Sequence, residues 1–134
     1  PFETWINSAD AVGLPNTVTD SQSIALKFRS YEEFITVVEA VKPKAGHTYN
    51  FSIGVKAVAN TEPQIRLWIS RDCAVVEDYN IESFMVSSMK PRYEISHTFS
   101  QDFPCMKVGL NVLNASPETP QQIVISSPIV KRVD

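Results

Sequence analysis

The sequence predicts an all-β protein built as a two-sheet antiparallel β-sandwich of about nine strands. Three observations predict it. Short segments of alternating apolar and polar residues are broken about every ten residues by Gly, Pro, Asn, Asp or Ser, the spacing expected of a sandwich or barrel. Apolar residues at helical spacing are scarce, and internal repeats and low-complexity runs are lacking. A chain of 134 residues is also long enough to bury one core without metal or disulfide staples, so 1–134 is read as one domain.

Taken in order, Phe2 to Ile6 reads as a short strand, and Asn7 to Ser21 as a polar loop around Gly13, Pro15 and Asn16. Gln22 to Arg29 follows as a strand with Ile24, Leu26 and Phe28 on one face. Ser30-Tyr31-Glu32-Glu33 turns the chain into Phe34 to Lys42, which is rich in β-branched residues and whose inward face the pattern leaves open. Pro43-Lys44-Ala45-Gly46 is a tight connection, with Gly46 available for positive φ.

The stretch His47 to Ser70 then reads as two strands around the polar turn Ala59-Asn60-Thr61-Glu62-Pro63. In the first, Tyr49, Phe51, Ile53 and Val55 share one face, and Thr48, Asn50, Ser52, Gly54 and Lys56 the other. In the second, Ile65, Leu67 and Ile69 oppose Gln64, Arg66, Trp68 and Ser70. With both aliphatic faces in a core, Trp68 stands outward beside Arg66, with Gln64 and Asn50 as expected neighbours. Arg71 to Asn80 reads as a loop carrying Tyr79. Ile81 to Ser88 and Arg92 to Phe99 are strands separated by Met89-Lys90-Pro91. Cys105 to Leu113 turns Met106, Val108, Leu110 and Val112 inward and Lys107, Gly109, Asn111 and Leu113 outward. Gln121 to Val133 closes the chain, and Pro128 within it marks an edge, a bulge or a break in the ladder.

A formal net charge of −3 and the lack of any Lys/Arg cluster argue against a nucleic-acid partner. No apolar run approaches the roughly 20 residues that span a bilayer. The chain starts at Pro1 without Met or a basic-then-apolar leader, which reads as a piece processed or excised from something longer. Cys73 and Cys105 lack metal or redox spacing; they are either one disulfide in an oxidising compartment or two separate thiols. The two sequons at Asn50 and Asn114 matter only in a eukaryotic secretory host.

His47 and His97 have no nucleophile in a recognisable motif and are expected to be structural. Glu32-Glu33 and Glu77-Asp78 are adjacent pairs, which strands point to opposite faces and loops leave in water. Neither predicts two carboxylates facing one another across a substrate at about 5 to 10 Å, so no glycosidase chemistry is expected.

The order of signals resembles one family group. Phe2-Glu3 with Trp5, the Ser23 to Lys27 strand, Pro43-x-Ala45-Gly46-x-Thr48-Tyr49-x-Phe51-Ser52, Val55-Lys56-Ala57 and Arg66-Leu67-Trp68-Ile69 follow one another over nearly the whole chain. This resembles the jelly-roll, galactose-binding-like carbohydrate-binding modules of the family 4, 9, 16 and 22 group, which are appended to secreted polysaccharide-degrading enzymes. The resemblance implies a non-catalytic module, extracellular, monomeric and covalently linked to other domains, that binds a polysaccharide on a concave sheet. It implies a ligand face carrying Trp68, Arg66, Gln64, Asn50, Ser52 and Lys56, with Asn111, Tyr31 and Tyr79 as further candidates. An indole offers a stacking surface to a sugar's C–H face, and amides and guanidinium offer paired contacts to hydroxyls. Arg66 and Lys56 are also candidates to clamp a uronate or sulfate.

The group commonly holds a structural calcium between the Glu of the N-terminal Phe-Glu, here Glu3, and an Asp near the closing sequence. Ser126 and Ser127 stand where that Asp is expected, removing hard oxygen ligands, so no cofactor is expected to be required. The competing expectation is a structural or interaction sandwich, a spacer or a virion or adhesion module, in which Trp68 is covered by a loop or a neighbouring domain.

Overall fold

The computed structural model describes residues 6–7, 17–20, 23–39, 42–58, 61–71 and 79–134. Among them are ten strands: β1 (Ile6–Asn7), β2 (Thr17–Asp20), β3 (Ser23–Phe28), β4 (Phe34–Glu39), β5 (Thr48–Ala57), β6 (Gln64–Arg71), β7 (Tyr79–Met85), β8 (Arg92–Thr98), β9 (Met106–Val112) and β10 (Gln121–Arg132). Every pairing is antiparallel, and no helix occurs among the described residues. The first sheet runs β1-β4-β9-β6-β7 and the second β2-β3-β10-β5-β8. The all-β sandwich is thus as expected, with β1 and β2 as short additions at the edges. β2 falls inside the stretch read as a polar loop, and β7 begins at Tyr79, inside another.

The alternation in sequence becomes the two inner faces. Ile65, Leu67 and Ile69 of β6 and Met106, Val108, Leu110 and Val112 of β9 are fully buried from one side. Phe51, Ile53 and Val55 of β5, Ile123 and Ile125 of β10 and Tyr93 and Ile95 of β8 meet them from the other. Each such aliphatic side chain contributes about 1.5–3 kcal/mol on leaving water. In β4, whose inward face the sequence left open, Ile35 is buried in the core, and Thr36 satisfies its hydroxyl by donating to the Val108 carbonyl at 2.7 Å.

Backbone exceptions sit where sequence chemistry requires them. Gly46 takes φ 78° in the turn before β5. In β10 the pairing with β5 moves from Ser126↔Gly54 to Ile129↔Ser52, one extra residue on the β10 side. The bulge holds Pro128, which has no N–H to give a ladder, and Ser127 at φ 46°. β10 is a central strand, so of the three readings of Pro128 the bulge is the one found.

The connection after β5 decides the geometry of the site. Val58 donates to the Gln122 carbonyl, and Thr61 donates backbone N–H to Val58 at 3.1 Å; β6 then starts with its Gln64 carbonyl accepting from Leu113 at 2.7 Å. The chain has crossed from the second sheet to the first. β5 and β6 are not one hairpin but strands of opposite sheets, facing each other across the core. Because both turn aliphatic residues inward, their polar faces point away from each other. Asn50, Ser52 and Lys56 therefore do not share a surface with Trp68, contrary to the expectation above.

Candidate functional site

On the outer face of the first sheet, register builds a grid. Phe34, Asn111, Arg66 and Ser83 form one row, and Thr36, Gly109, Trp68 and Ile81 the next. Trp68 lies opposite the glycine, and that glycine is its floor. A Cβ on Gly109 would stand 2.1 Å from Trp68 Cζ2 and 2.3 Å from Cε2, so the indole covers the backbone of β9 where any other residue would hold a side chain. Phe34 meets Trp68 edge-on, with ring centroids 6.1 Å apart and planes at 69°. The half-buried indole is fixed underneath and along one side.

The loop between β3 and β4 supplies the other wall. Glu33 N–H bonds the Ser30 carbonyl at 3.2 Å, Ser30 Oγ accepts from Glu32 N–H at 3.1 Å, and the buried Glu33 carboxylate accepts from Arg29 N–H. This local network explains the Ser-x-Glu-Glu stretch: Glu33 stabilises the turn, while Glu32 and Tyr31 are left exposed at its tip. Tyr31 is 58% exposed, and its carbonyl accepts from Asn111 Nδ2 at 2.8 Å.

Asn111 is only 2% exposed and ties loop to sheet. Its Oδ1 accepts from Arg66 Nε at 3.1 Å while its amide holds Tyr31. With Nε occupied, the Nη1 and Nη2 pair is the part of the guanidinium left for a ligand. Tyr31, Glu32, Phe34, Arg66, Trp68 and Asn111 enclose a pocket of about 270 Å³. It offers an aromatic floor, an aromatic wall, paired donors and a carboxylate acceptor.

Of the residues singled out from sequence, Trp68, Arg66, Asn111 and Tyr31 converge here. Gln64 shares the strand face but lies at its start, opposite Met85, outside the pocket lining. Asn50 is buried in the second sheet, donating to Ser96 Oγ at 3.0 Å. Ser52 accepts from Arg92 Nε at 3.0 Å, and Lys56 is exposed two positions further along the same face of β5. Tyr79 opens β7 opposite Ser70, but its side chain lies outside the described residues, as do Trp5, Cys73 and Glu3. Sequence reading missed Glu32, Phe34 and Gly109. Gly109 was detectable in principle, since a glycine inside a strand marks a close approach.

Of the positions weighed for a calcium ion, Glu3 lies outside the described residues and those near Pro128 are described. Ser126 and Ser127 bring no carboxylate, the Ser127 carbonyl accepts from the Arg92 guanidinium at 2.7 Å, and no group of three acidic, His or Cys side chains gathers among the described residues. His47 and His97 lie away from the pocket. His97 packs edge-on to Phe99 at 4.7 Å, and His47 Nδ1 lies 3.4 Å from Asp134 Oδ2.

No protein-family model and no curated protein matches the sequence. Solved structures do match the fold. A CBM4 carbohydrate-binding module superposes with a TM-score of 0.77 over 98% of this chain and 96% of its own, at 12% identity. The CBM22-1–GH10 modules of the Clostridium thermocellum endo-1,4-β-D-xylanase 10B, solved with xylohexaose, give 0.70 over 99% of this chain and 27% of theirs, also at 12% identity. The enzymatically active domain of tailspike protein 4 of bacteriophage CBA120 gives 0.65 over 99% of this chain and 20% of its own, at 14% identity. The chain has the jelly-roll fold of the carbohydrate-binding modules.

Proposed function

We propose that this chain is a non-catalytic carbohydrate-binding module that takes a polysaccharide on the outer face of its first sheet, over Trp68. One observation supports the reading above the others. Trp68 is laid across a glycine, flanked edge-on by Phe34, and faced by an arginine held in place by a buried asparagine. That is a preformed stacking platform with polar groups beside it, and a sugar ring needs both: an apolar surface for its C–H face and planar donors for its hydroxyls. Glu32 adds an acceptor for hydroxyl protons. Its presence in the same pocket as Arg66 suits a neutral sugar better than a uronate.

The module is read as extracellular, monomeric, free of a required cofactor and joined to other domains. Joined to a hydrolase, it keeps the catalytic domain at its substrate by raising effective concentration, without a new contact to the scissile bond. Affinity electrophoresis through soluble glucans, xylans and mannans tests the reading. Wild type is expected to be retarded by at least one of them and Trp68→Ala by none, with the β circular dichroism of the two unchanged. Free migration of wild type through the whole panel would overturn it.

A second reading has its own support in the likeness to a tailspike domain. On that reading this sandwich is a structural unit of a larger fibre or adhesin, and its Trp68 face seats a neighbouring domain. It predicts no retardation in any glycan, together with protection of Trp68 from quenchers only in the longer protein.

A further inference from the structure

A second concavity lies on the outer face of the second sheet, on the far side of the sandwich from Trp68. It encloses about 520 Å³, within the roughly 300–1,000 Å³ usual for small-molecule sites. Val124 supplies an apolar floor, and Lys56, Ser87, Ser88 and Ser126 stand around it. None of the described lining residues is acidic or aromatic.

The backbone is shaped to bring these groups together. Gly54 lies opposite Ser126, and a Cβ on it would stand 2.3 Å from Ser126 Oγ, so the hydroxyl occupies space that a side chain would fill. The same vacancy lets Arg92 reach across β5. Its Nε and Nη2 donate to Ser52 Oγ at 3.0 and 2.9 Å, Nη2 donates to the Ser127 carbonyl at 2.7 Å, and Nη1 is 3.6 Å from that Cβ position. The bulge at Ser127 is thus tied down by a cation beside the pocket. Lys56 is the next outward residue of β5, opposite Val124, and has no ion-pair partner among the described residues. On β8, Glu94 stands opposite Ser52, beyond Arg92 and outside the pocket.

Hydroxyl donors and an unpaired ammonium over an apolar floor suit a ligand with two parts. A tetrahedral ester offers several acceptor oxygens to Lys56 and the serines, with the charge-assisted bonds supplying strength. A ring can rest on Val124, but without an aromatic surface a neutral ring gains little there. We infer that this pocket binds a sugar bearing a sulfate or phosphate ester, independently of the Trp68 face and of the function proposed for it.

The test is a ¹H–¹⁵N NMR titration of the chain with glucose 6-sulfate, glucose 6-phosphate, glucose, and inorganic sulfate and phosphate. At least one ester is expected to move the amides of Lys56, Ala57 and Ser88, and the tighter of the two identifies the source of the oxyanion. Glucose is expected to leave those amides in place. Lys56→Ala and Lys56→Gln, both at an exposed position, are expected to weaken the ester about tenfold or more, as loss of a charge-assisted hydrogen bond does. Trp68→Ala is expected to leave this affinity unchanged. The inference fails if neither ester shifts these amides, if glucose shifts them equally, if inorganic anion alone binds as tightly as its sugar ester, or if the Lys56 variants bind like wild type.

Discussion

Replacing Gly109 by alanine probes the platform directly. Inside a strand, glycine is usually the weaker residue by about 0.5–1 kcal/mol, so the exchange normally stabilises. Here the new Cβ would lie 2.1 Å from Trp68 Cζ2 and 2.8 Å from the Ile35 carbonyl oxygen. Carbon atoms rest about 3.5 Å apart, so the indole must lift by about 1.4 Å or swing away. The Ile35 carbonyl cannot yield as easily, because Ile35 is paired with Leu110 in the ladder of β4 and β9. Overpacking of this kind costs about 1–3 kcal/mol, opposite in sign to the propensity effect.

Urea unfolding measures the cost, and a double-mutant cycle with Trp68→Ala assigns it. With the indole removed, the Ile35 carbonyl is the one left of the three nearest atoms. The penalty of Gly109→Ala is then expected to fall by about 1 kcal/mol or more. In the single variant the polysaccharide affinity found for wild type is also expected to drop, since the stacking surface has moved. A Gly109→Ala protein as stable as wild type, or a penalty identical with and without Trp68, would refute the placement of the indole on β9.

Two further perturbations follow from the same geometry. Asn111→Ala leaves the Arg66 Nε and the Tyr31 carbonyl without the partner they share, which is expected to cost about 1–3 kcal/mol in urea unfolding. It is also expected to weaken glycan binding, whereas Asn111→Ala in an Arg66→Ala background is expected to weaken it little further; full additivity would show that Asn111 does not act through Arg66. At the C-terminus, the Asp134 carboxylate is held below its ordinary pKa of 3.8, first by the Thr48 N–H, then by His47 and Arg132. A depressed folded pKa means that this clamp on β5 contributes fully above the unfolded value and is lost as pH falls through the folded one. Thr48 and Val133 amide exchange, corrected for its intrinsic rate, is expected to accelerate below about pH 3.8 in wild type and to show no such step in Asp134→Asn. Protection unchanged down to about pH 2 in wild type would count against the clamp.

Much of the molecule is legible in one dimension. Side-chain direction within a strand alternates with a period of two, so aliphatic residues at Ile65, Leu67 and Ile69 commit Trp68 and Arg66 to the opposite face whatever the topology. The same rule places Met106 to Val112, and the lack of helical spacing leaves a two-sheet sandwich as the way to bury those faces. The turn at Gly46 and the irregularity at Pro128 come from backbone chemistry of single residues and are equally local.

Membership of a sheet is not local. A run of alternating residues reads the same in either layer, and the Val58 to Pro63 link is compatible with a hairpin or with a crossing between sheets. The hydrogen-bond ladders choose the crossing, with β5 pairing β10 and β8 while β6 pairs β9 and β7. That choice separates Asn50, Ser52 and Lys56 from Trp68 and gives Lys56 a pocket of its own. It also brings together residues far apart in the chain: Gly109 beneath Trp68, Phe34 beside it, and Asn111 between Arg66 and the Tyr31 carbonyl. Alternation settles which way a side chain points, whereas its neighbours depend on long-range pairing, so the platform residue was visible early and the site around it only in three dimensions.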